Sequence, residues 1–224
     1  MFYAHIQEGT TAHFDATEKR HAVDALRKKV GDDITYTNGQ GQLFEARITQ
    51  IGKDYFRAEQ LSSLRFQPKP LVHLAIAPTK NSDRMEWMLE KCCELGLASL
   101  RFLECAHSEK TRVNLERLER VALSAIKQSG NLWLPEVLPV MKFSQWAHES
   151  FDGIRYLAHC AEGTKNKAES IQTPVCIAIG PEGDFSSEEI LLALQLGMRP
   201  LSLGQTRLRT ETAGLVACTL FNLL

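Results

Sequence analysis

The sequence holds no C-x-x-C pair, no H-E-x-x-H and no Cys/His cluster at zinc-site spacing, so no structural zinc site or zincin-type chemistry is indicated and no metal is expected. Six cysteines are present (Cys92, Cys93, Cys105, Cys160, Cys176 and Cys218), but they are scattered and most lie in apolar runs. They read as reduced, buried thiols, not as a disulfide framework. Neither G-x-G-x-x-G nor G-x-x-x-x-G-K-[ST] occurs, which removes the usual dinucleotide and P-loop assignments. No apolar run reaches membrane-spanning length. The N-terminus, Met1-Phe2-Tyr3-Ala4-His5, lacks a basic region followed by an apolar core, so no signal peptide is expected and the expected location is cytoplasmic. Net charge is also scarce, at −1 for 224 residues. That argues against a general nucleic-acid coat protein but leaves room for a local basic groove.

What is present is concentrated near the C-terminus. Val175 to Ile179 is a short apolar run broken by Gly180-Pro181-Glu182-Gly183-Asp184-Phe185. It reads as a parallel strand buried on both faces. Gly180 and Gly183, lacking Cβ atoms, allow close approach of a ligand to the backbone or positive φ. Ser186 and Glu189 form a capping box, Ile190, Leu191, Leu194 and Leu196 supply the apolar face of the helix, and Gly197 follows its end. The plan repeats: Leu201 to Leu203 is a strand, Gly204 the break, Thr210 the N-cap of a last helix through Ala213, Val216, Ala217 and Leu220. Arg207, Arg209 and Glu211 stand between them. Two arginines beside a helix N-terminus suit a phosphate or a developing oxyanion. From spacing alone the simpler reading is two ordinary α/β connections, with Arg209 and Glu211 in a local ion pair.

Upstream, residues 1–68 read as a β-rich unit with one helix. Asp15 and Glu18 begin that helix, Ala22, Leu26 and Val30 continue it, and Gly31 ends it. Asn38-Gly39-Gln40-Gly41 joins Ile34–Thr37 to Leu43–Ile51 as a hairpin, and Gly52-Lys53-Asp54 turns into Tyr55–Leu61. A small barrel is expected. Gln67-Pro68-Lys69-Pro70 is the linker. Residues 69–224 alternate strand and helix: strands at Leu71–Ala77, Leu100–Leu103 and Ile154–Ala158, and helices carrying Met85, Met88, Leu89, Cys92 and Leu95, then Leu115 to Ile126, then Phe143 to Glu149. This is an α/β domain with a parallel sheet. No internal repeat or low-complexity tract interrupts it.

Gly-Pro-Glu-Gly-x-Phe-Ser at residues 180–186, followed by Leu-Gly-x-x-Arg-Leu-Arg-Thr-Glu-Thr-Ala at residues 203–213, resembles the RsmE family. The resemblance extends to Lys80, Arg84-Met85-Glu86-Trp87 and Lys91, to a Gln128-Ser129 segment, and to His21, Ala25-Leu26-Arg27 and Val30-Gly31-Asp32. One position departs: Asp184 stands where the family pattern has a third Gly, placing a negative charge by the loop. An Arg often found in the Gln128 segment is also absent at Asn131.

The resemblance implies 16S ribosomal RNA uridine N3-methylation by a SPOUT-class enzyme. It implies a PUA-like RNA-binding β-barrel over 1–68 and a methyltransferase domain with a C-terminal trefoil knot over 69–224. It implies S-adenosylmethionine as cofactor, held by Leu157, His159, Ile179, Gly180, Glu182, Gly183, Leu203, Gly204, Leu208 and Thr210. RNA contacts fall to His21, Arg27, Lys80, Arg84 and Gln128. Partners are small-subunit ribosomal RNA or the 30S subunit, and a second copy in a homodimer. Arg209 is the first candidate to steady negative charge on the base, and Arg207 the second. Glu211 either accepts the N3 proton or orients Arg209, the orienting role being favoured because a carboxylate beside Arg is a weaker base. Two other readings stay open: a noncatalytic RNA-binding assembly factor, and the same chemistry on another RNA. A nicotinamide-dependent dehydrogenase lacks its glycine fingerprint.

Overall fold

The structure, a computed structural model, describes residues 1–223. The chain forms two units, one of Met1–Lys69 with Ile126–Leu134, the other of Pro70–Ala125 with the chain from Pro135 onward.

The first unit carries β1 (Phe2–Tyr3), β2 (Ile6–Glu8), β3 (Thr11–Phe14), a short helix α1 (Ala16–Lys19), β4 (Asp33–Thr37), β5 (Gln42–Ile51) and β6 (Phe56–Phe66). The sheet order is β1-β4-β5-β6-β3-β2. Its two outer members, β1 and β2, are separated in the chain only by Ala4 and His5. The same N-terminal segment therefore pairs with both sides, parallel to β4 and antiparallel to β3, and the sheet closes on itself as a barrel. Closure removes the exposed strand edges that invite aggregation. Inside lie Phe2, Phe14, Tyr36, Phe44 and Phe56, with the Phe14 and Phe56 rings stacked at 4.2 Å.

The helix of this unit differs from the sequence reading. Asp15 does cap it, accepting from the Glu18 amide at 2.8 Å. The α-helical part ends at Lys19, however, and a π-helical segment, Arg20–Ala25, follows and stops at Leu26. Leu26 and Val30 are exposed. Arg27 turns the chain with φ 56, while Gly31 sits outside the helix and donates to Ile48 O. The wider π turn rotates later residues off the α-helical face, so the 3.6-residue periodicity no longer indicates what is buried.

Glu18 is buried and has a different partner from the one a capping box supplies. Its carboxylate ion-pairs with Lys127 and accepts from the Tyr3 amide at 3.4 Å. Residues 126–134 are tied to the barrel further on. Trp133 Nε1 donates to Gln67 O at 2.8 Å, and Leu132 N donates to Gln67 Oε1 at 3.0 Å. Gly41, at φ 86, lies so close to the Trp133 ring that a Cβ would sit 2.6 Å from it, which only glycine allows.

The second unit carries β7 (Val72–Ile76), α2 (Ser82–Leu95), β8 (Leu97–Glu104), α3 (Leu115–Ser129, its last turn counted with the first unit), β9 (Glu136–Lys142) and α4 (Phe143–His148). It continues with β10 (Ile154–Ala158), β11 (Val175–Ile179), α5 (Ser187–Gln195), β12 (Arg199–Leu201) and α6 (Thr210–Leu223). Every strand of the order β12-β10-β11-β7-β8-β9 is parallel to its neighbour. β11, near the centre, is buried along its whole length, as a strand covered on both faces must be. Met85, Met88, Leu89 and Cys92 of α2 are core, as their spacing indicates. β9 has no counterpart in the sequence reading. It carries Pro139, which an edge strand tolerates because one side of its backbone needs no ladder donor.

The capping box of α5 is present in both directions, Glu189 N to Ser186 Oγ and Ser186 N to Glu189 Oε2. The buried face of α5 keeps Ile190 of the expected residues but not Leu191, Leu194 or Leu196. Ala193 is fully buried, with Ile190 and Leu192 packed beside it on the core, whereas Leu191, Leu194 and Leu196 are exposed. A helix apolar on more than one side does not reveal its inner face. Here small Ala193 takes the core side with Ile190 and Leu192, and Leu191, Leu194 and Leu196 face outward.

Candidate functional site

Parallel strands deliver their carboxyl ends to one side of the sheet, where open α/β folds form their crevices. β12, β10 and β11 are consecutive in the sheet and end at Leu201, Ala158 and Ile179. The segments after them line one cavity of about 570 Å³, within the roughly 300–1,000 Å³ of small-molecule sites. Most of the residues singled out from the sequence meet there: His159, Ile179, Gly180, Glu182, Leu203, Gly204, Arg207, Leu208, Arg209 and Thr210. Leu157 is fully buried in β10, and Gly183 also stands off the lining. Cys160, Lys165, Asp184, Gln205 and Thr206 join the lining without having been singled out as ligand contacts.

The cavity wall is held by contacts between segments distant in sequence. Arg207 Nη2 donates to Glu182 O at 2.9 Å, joining the loop after β12 to the loop after β11. Thr210 Oγ1 donates to Gly180 O at 3.3 Å. This differs from the expected N-cap role. Thr210 is already the first helical residue, the Arg209 carbonyl accepts from Ala213 N, and the Thr hydroxyl is spent across the cavity floor. Gly180 and Gly183 have no positive φ. Their missing side chains leave room for protein: a Cβ would lie 3.1 Å from the Phe185 ring at Gly180 and 3.1 Å from His107 Cβ at Gly183. Gly204, by contrast, has φ 142, which L side chains rarely adopt, and opens its backbone to the cavity.

His159 supplies a polar group in search of a partner. Its Nδ1 is buried and makes no hydrogen bond among the described residues. Burial first, then the nearby Lys165 charge, holds the imidazole below its ordinary pKa, so the neutral ring faces the cavity. With this atom, open backbone around Gly204 and a largely apolar floor of Ile179, Leu201 and Leu203, the lining fits a nucleoside-bearing cofactor of mixed polarity.

Charge is arranged differently from the expected Arg209–Glu211 pair. Glu211 is buried and forms an ion pair with Arg84 of α2, Nη1 to Oε1 at 3.4 Å. Arg209, one residue before α6, stays exposed on the cavity rim. The local pair fails because the first turn of α6 directs Glu211 inward toward α2 while Arg209 precedes the helix. Of the residues expected to meet RNA, Lys80 is exposed and ion-paired with Glu109. Arg84 is committed to Glu211. Gln128, in the first unit, is exposed, as is Arg27. His21 is half-buried, its ring 5.1 Å from that of Phe2, so it also serves barrel packing.

The family model for an RNA methyltransferase domain matches residues 67–222, and the model for an RNA methyltransferase PUA domain matches residues 14–61. The chain is 31% identical over 210 residues to ribosomal RNA small subunit methyltransferase E of Synechocystis, covering 89% of this chain and 68% of the relative. Among solved structures, a probable rRNA-methyltransferase of Porphyromonas gingivalis superposes with a TM-score of 0.86 at 37% identity, covering 97% of this chain and 94% of that one. A ribosomal RNA small subunit methyltransferase E from Neisseria gonorrhoeae, bound to S-adenosyl methionine, superposes at 0.80 and 25% identity, covering 97% and 94%. With both domain models in order along the chain and these likenesses spanning nearly all of it, the chain belongs to the family of RNA methyltransferases that includes the ribosomal RNA small subunit methyltransferase E proteins.

Proposed function

We propose that this protein transfers a methyl group from S-adenosylmethionine to N3 of a uridine in small-subunit ribosomal RNA. The observation that carries the reading is the single cavity at the ends of β10, β11 and β12, with Arg209 free on its rim. His159, Ile179, Gly180, Glu182, Leu203, Gly204, Leu208 and Thr210 are the cofactor contacts, with Leu157 and Gly183 shaping the wall from behind. When bound, the cofactor would supply a methyl already activated on sulfonium, the sulfur keeping the electron pair of the bond it gives up, and the uridine N3 proton would pass to water.

The chain's own task is orientation and electrostatics. Uridine N3 is a poor nucleophile until its proton departs, and a cation beside O2 or O4 favours the anion. Arg209 is exposed on the rim and its side chain makes no hydrogen bond or ion pair among the described residues, so it takes this role. Arg207 donates to Glu182 O and holds the loop. Glu211, paired with Arg84, orders the start of α6 from which Arg209 projects.

The first unit, 1–68 in the main, binds RNA, and 69–224 carries the chemistry. Arg27, Lys80 and Gln128 are the exposed contacts; His21 and Arg84 contribute less, each being engaged within the protein. The partner is small-subunit ribosomal RNA or the assembled 30S subunit, met in the cytoplasm. A trefoil knot is supported by the chain path: β12 lies on the outer side of β10, yet α6, starting nine residues after Leu201, packs on α2, β7 and β11. A homodimer is supported by exposed Leu191, Leu194 and Leu196 on α5, apolar surface a second copy would cover.

The test is Arg209→Ala. It is expected to reduce methylation of ribosomal RNA at least ~100-fold, as removal of an oxyanion donor does, while calorimetry still registers S-adenosylmethionine. Retained methylation would remove Arg209 from the mechanism. A wild-type protein that binds no S-adenosylmethionine would refute the whole reading.

A further inference from the structure

We infer that Asp184 is a positioning residue whose carboxylate fastens two strand-end loops of the cofactor cavity together, so that the cavity is shaped before the cofactor arrives. The inference rests on the cavity being the S-adenosylmethionine site.

Asp184 occupies the left-handed region, with φ 66, where Asp and Asn are tolerated better than other side chains. Its amide donates to Pro181 O at 2.9 Å, closing the turn that begins at Gly180. That turn leaves one carboxylate oxygen on its own loop and brings the other to a neighbouring one. Oδ2 accepts from Cys160 N at 2.7 Å, in the loop after β10, and Oδ1 accepts from Phe185 N at 2.9 Å. On the backbone side, His107 Nδ1 lies 3.1 Å from Asp184 O and 3.2 Å from Gly183 O, anchoring the turn to the loop after β8. Arg207, on Glu182 O, adds the loop after β12. The turn around residue 184, in the loop after β11, is thus the hub on which the loops after three other strands converge, and the Cys160 bond is the spoke that its side chain alone provides.

Charge-assisted acceptance by a carboxylate is among the stronger hydrogen bonds, and a loop ordered in advance spares the ligand the entropy of ordering it. A glycine at this position would take φ 66 without strain but would offer no acceptor. The Cys160 amide would then face water, and the His159–Cys160 wall would be ordered only on binding. Both carboxylate oxygens are already engaged by backbone amides, so Asp184 acts through the loops and not as a proton acceptor.

Asp184→Gly separates this role from folding, because glycine suits the backbone. In the full-length protein, hydrogen exchange at the Cys160 amide is expected to accelerate at least about tenfold without cofactor, since its protecting acceptor is gone. By calorimetry, S-adenosylmethionine is expected to bind about tenfold more weakly. KM for the cofactor should rise in step, with kcat at saturation within about threefold of wild type. Asp184→Asn, which tolerates positive φ and keeps one acceptor oxygen, should fall between the two. Unchanged Cys160 exchange, or wild-type cofactor affinity in Asp184→Gly, would overturn the inference. Wild-type protein that shows the protected Cys160 amide but no cofactor binding would instead overturn the assignment of the cavity, and the functional role of the tie with it.

Discussion

The Arg84–Glu211 pair lends itself to a double-mutant cycle that also decides what Glu211 does. The atoms are 3.4 Å apart; the Glu211 side chain is 9% exposed and that of Arg84 41%. At this distance two unit charges attract by about 1 kcal/mol in water and about 5 kcal/mol at an effective dielectric constant of about 20. Because Arg84 is well wetted, the lower figure governs, and the expected coupling is about 1 kcal/mol. Glu211 also stands in the first turn of α6, where a carboxylate gains roughly 0.3–1 kcal/mol from the helix dipole. Glu211→Ala should therefore destabilise by about 1–2 kcal/mol and Arg84→Ala by about 1 kcal/mol, with the double variant falling short of their sum by about 1 kcal/mol. Urea unfolding of the four proteins at low salt measures this, and each kcal/mol should also lower Tm by about 2–4 °C. The activity arm uses Arg84→Ala and Glu211→Gln in a methyl-transfer assay: if Glu211 works by ordering the start of α6, the two lose activity together. Additive stabilities within about 0.3 kcal/mol would refute the pairing, and Glu211→Gln far less active than Arg84→Ala would make Glu211 the proton acceptor.

Two further outcomes follow from the cavity wall. Cys160 is exposed, whereas Cys92, Cys93, Cys105, Cys176 and Cys218 are buried, and burial raises the thiols of Cys93, Cys105 and Cys176; a thiol reagent should modify one cysteine rapidly in the native protein, S-adenosylmethionine should slow it, and a second rapid thiol or no protection would contradict this. His159, with its pKa lowered from 6.5 by burial and Lys165, binds its proton more readily unfolded than folded, so its neutral-state contribution is complete above about pH 6.5 and is lost as pH falls toward the folded value; Tm measured from pH 7.5 to 5.5 should drop less for His159→Asn than for wild type, and superimposable profiles would count against it.

Local chemistry was the part of this molecule most readable from residues alone. The Ser186–Glu189 box, the hairpin at Asn38-Gly39, the end of α5 before Gly197 and the parallel α/β order of the second unit depend on neighbours in sequence or on the alternation of strand and helix. What escaped was set by groups far apart in the chain. Glu211 pairs across to Arg84 and Glu18 to Lys127, choices no i,i+3 or i,i+4 rule contains. Thr210 prefers the Gly180 carbonyl to the helix end it begins. The π turn after Lys19 broke a periodicity that looked regular, and α5 buried Ala193 with Ile190 and Leu192 beside it, leaving Leu191, Leu194 and Leu196 outside. Asp184 was visible as a departure from the glycine pattern, but only the positive φ and the Cys160 amide explain what the departure accomplishes.

The barrel's dependence on residues 126–134 bears on how the protein is made. A ribosome releases the chain from its N-terminus, so β1 to β6 emerge well before Lys127 and Trp133. Until then Glu18 has no cation to meet, and the groove beside Gly41 has no indole to fill it. The part of the molecule translated first therefore gains its last contacts from a stretch translated much later, after the intervening strands and helices have emerged.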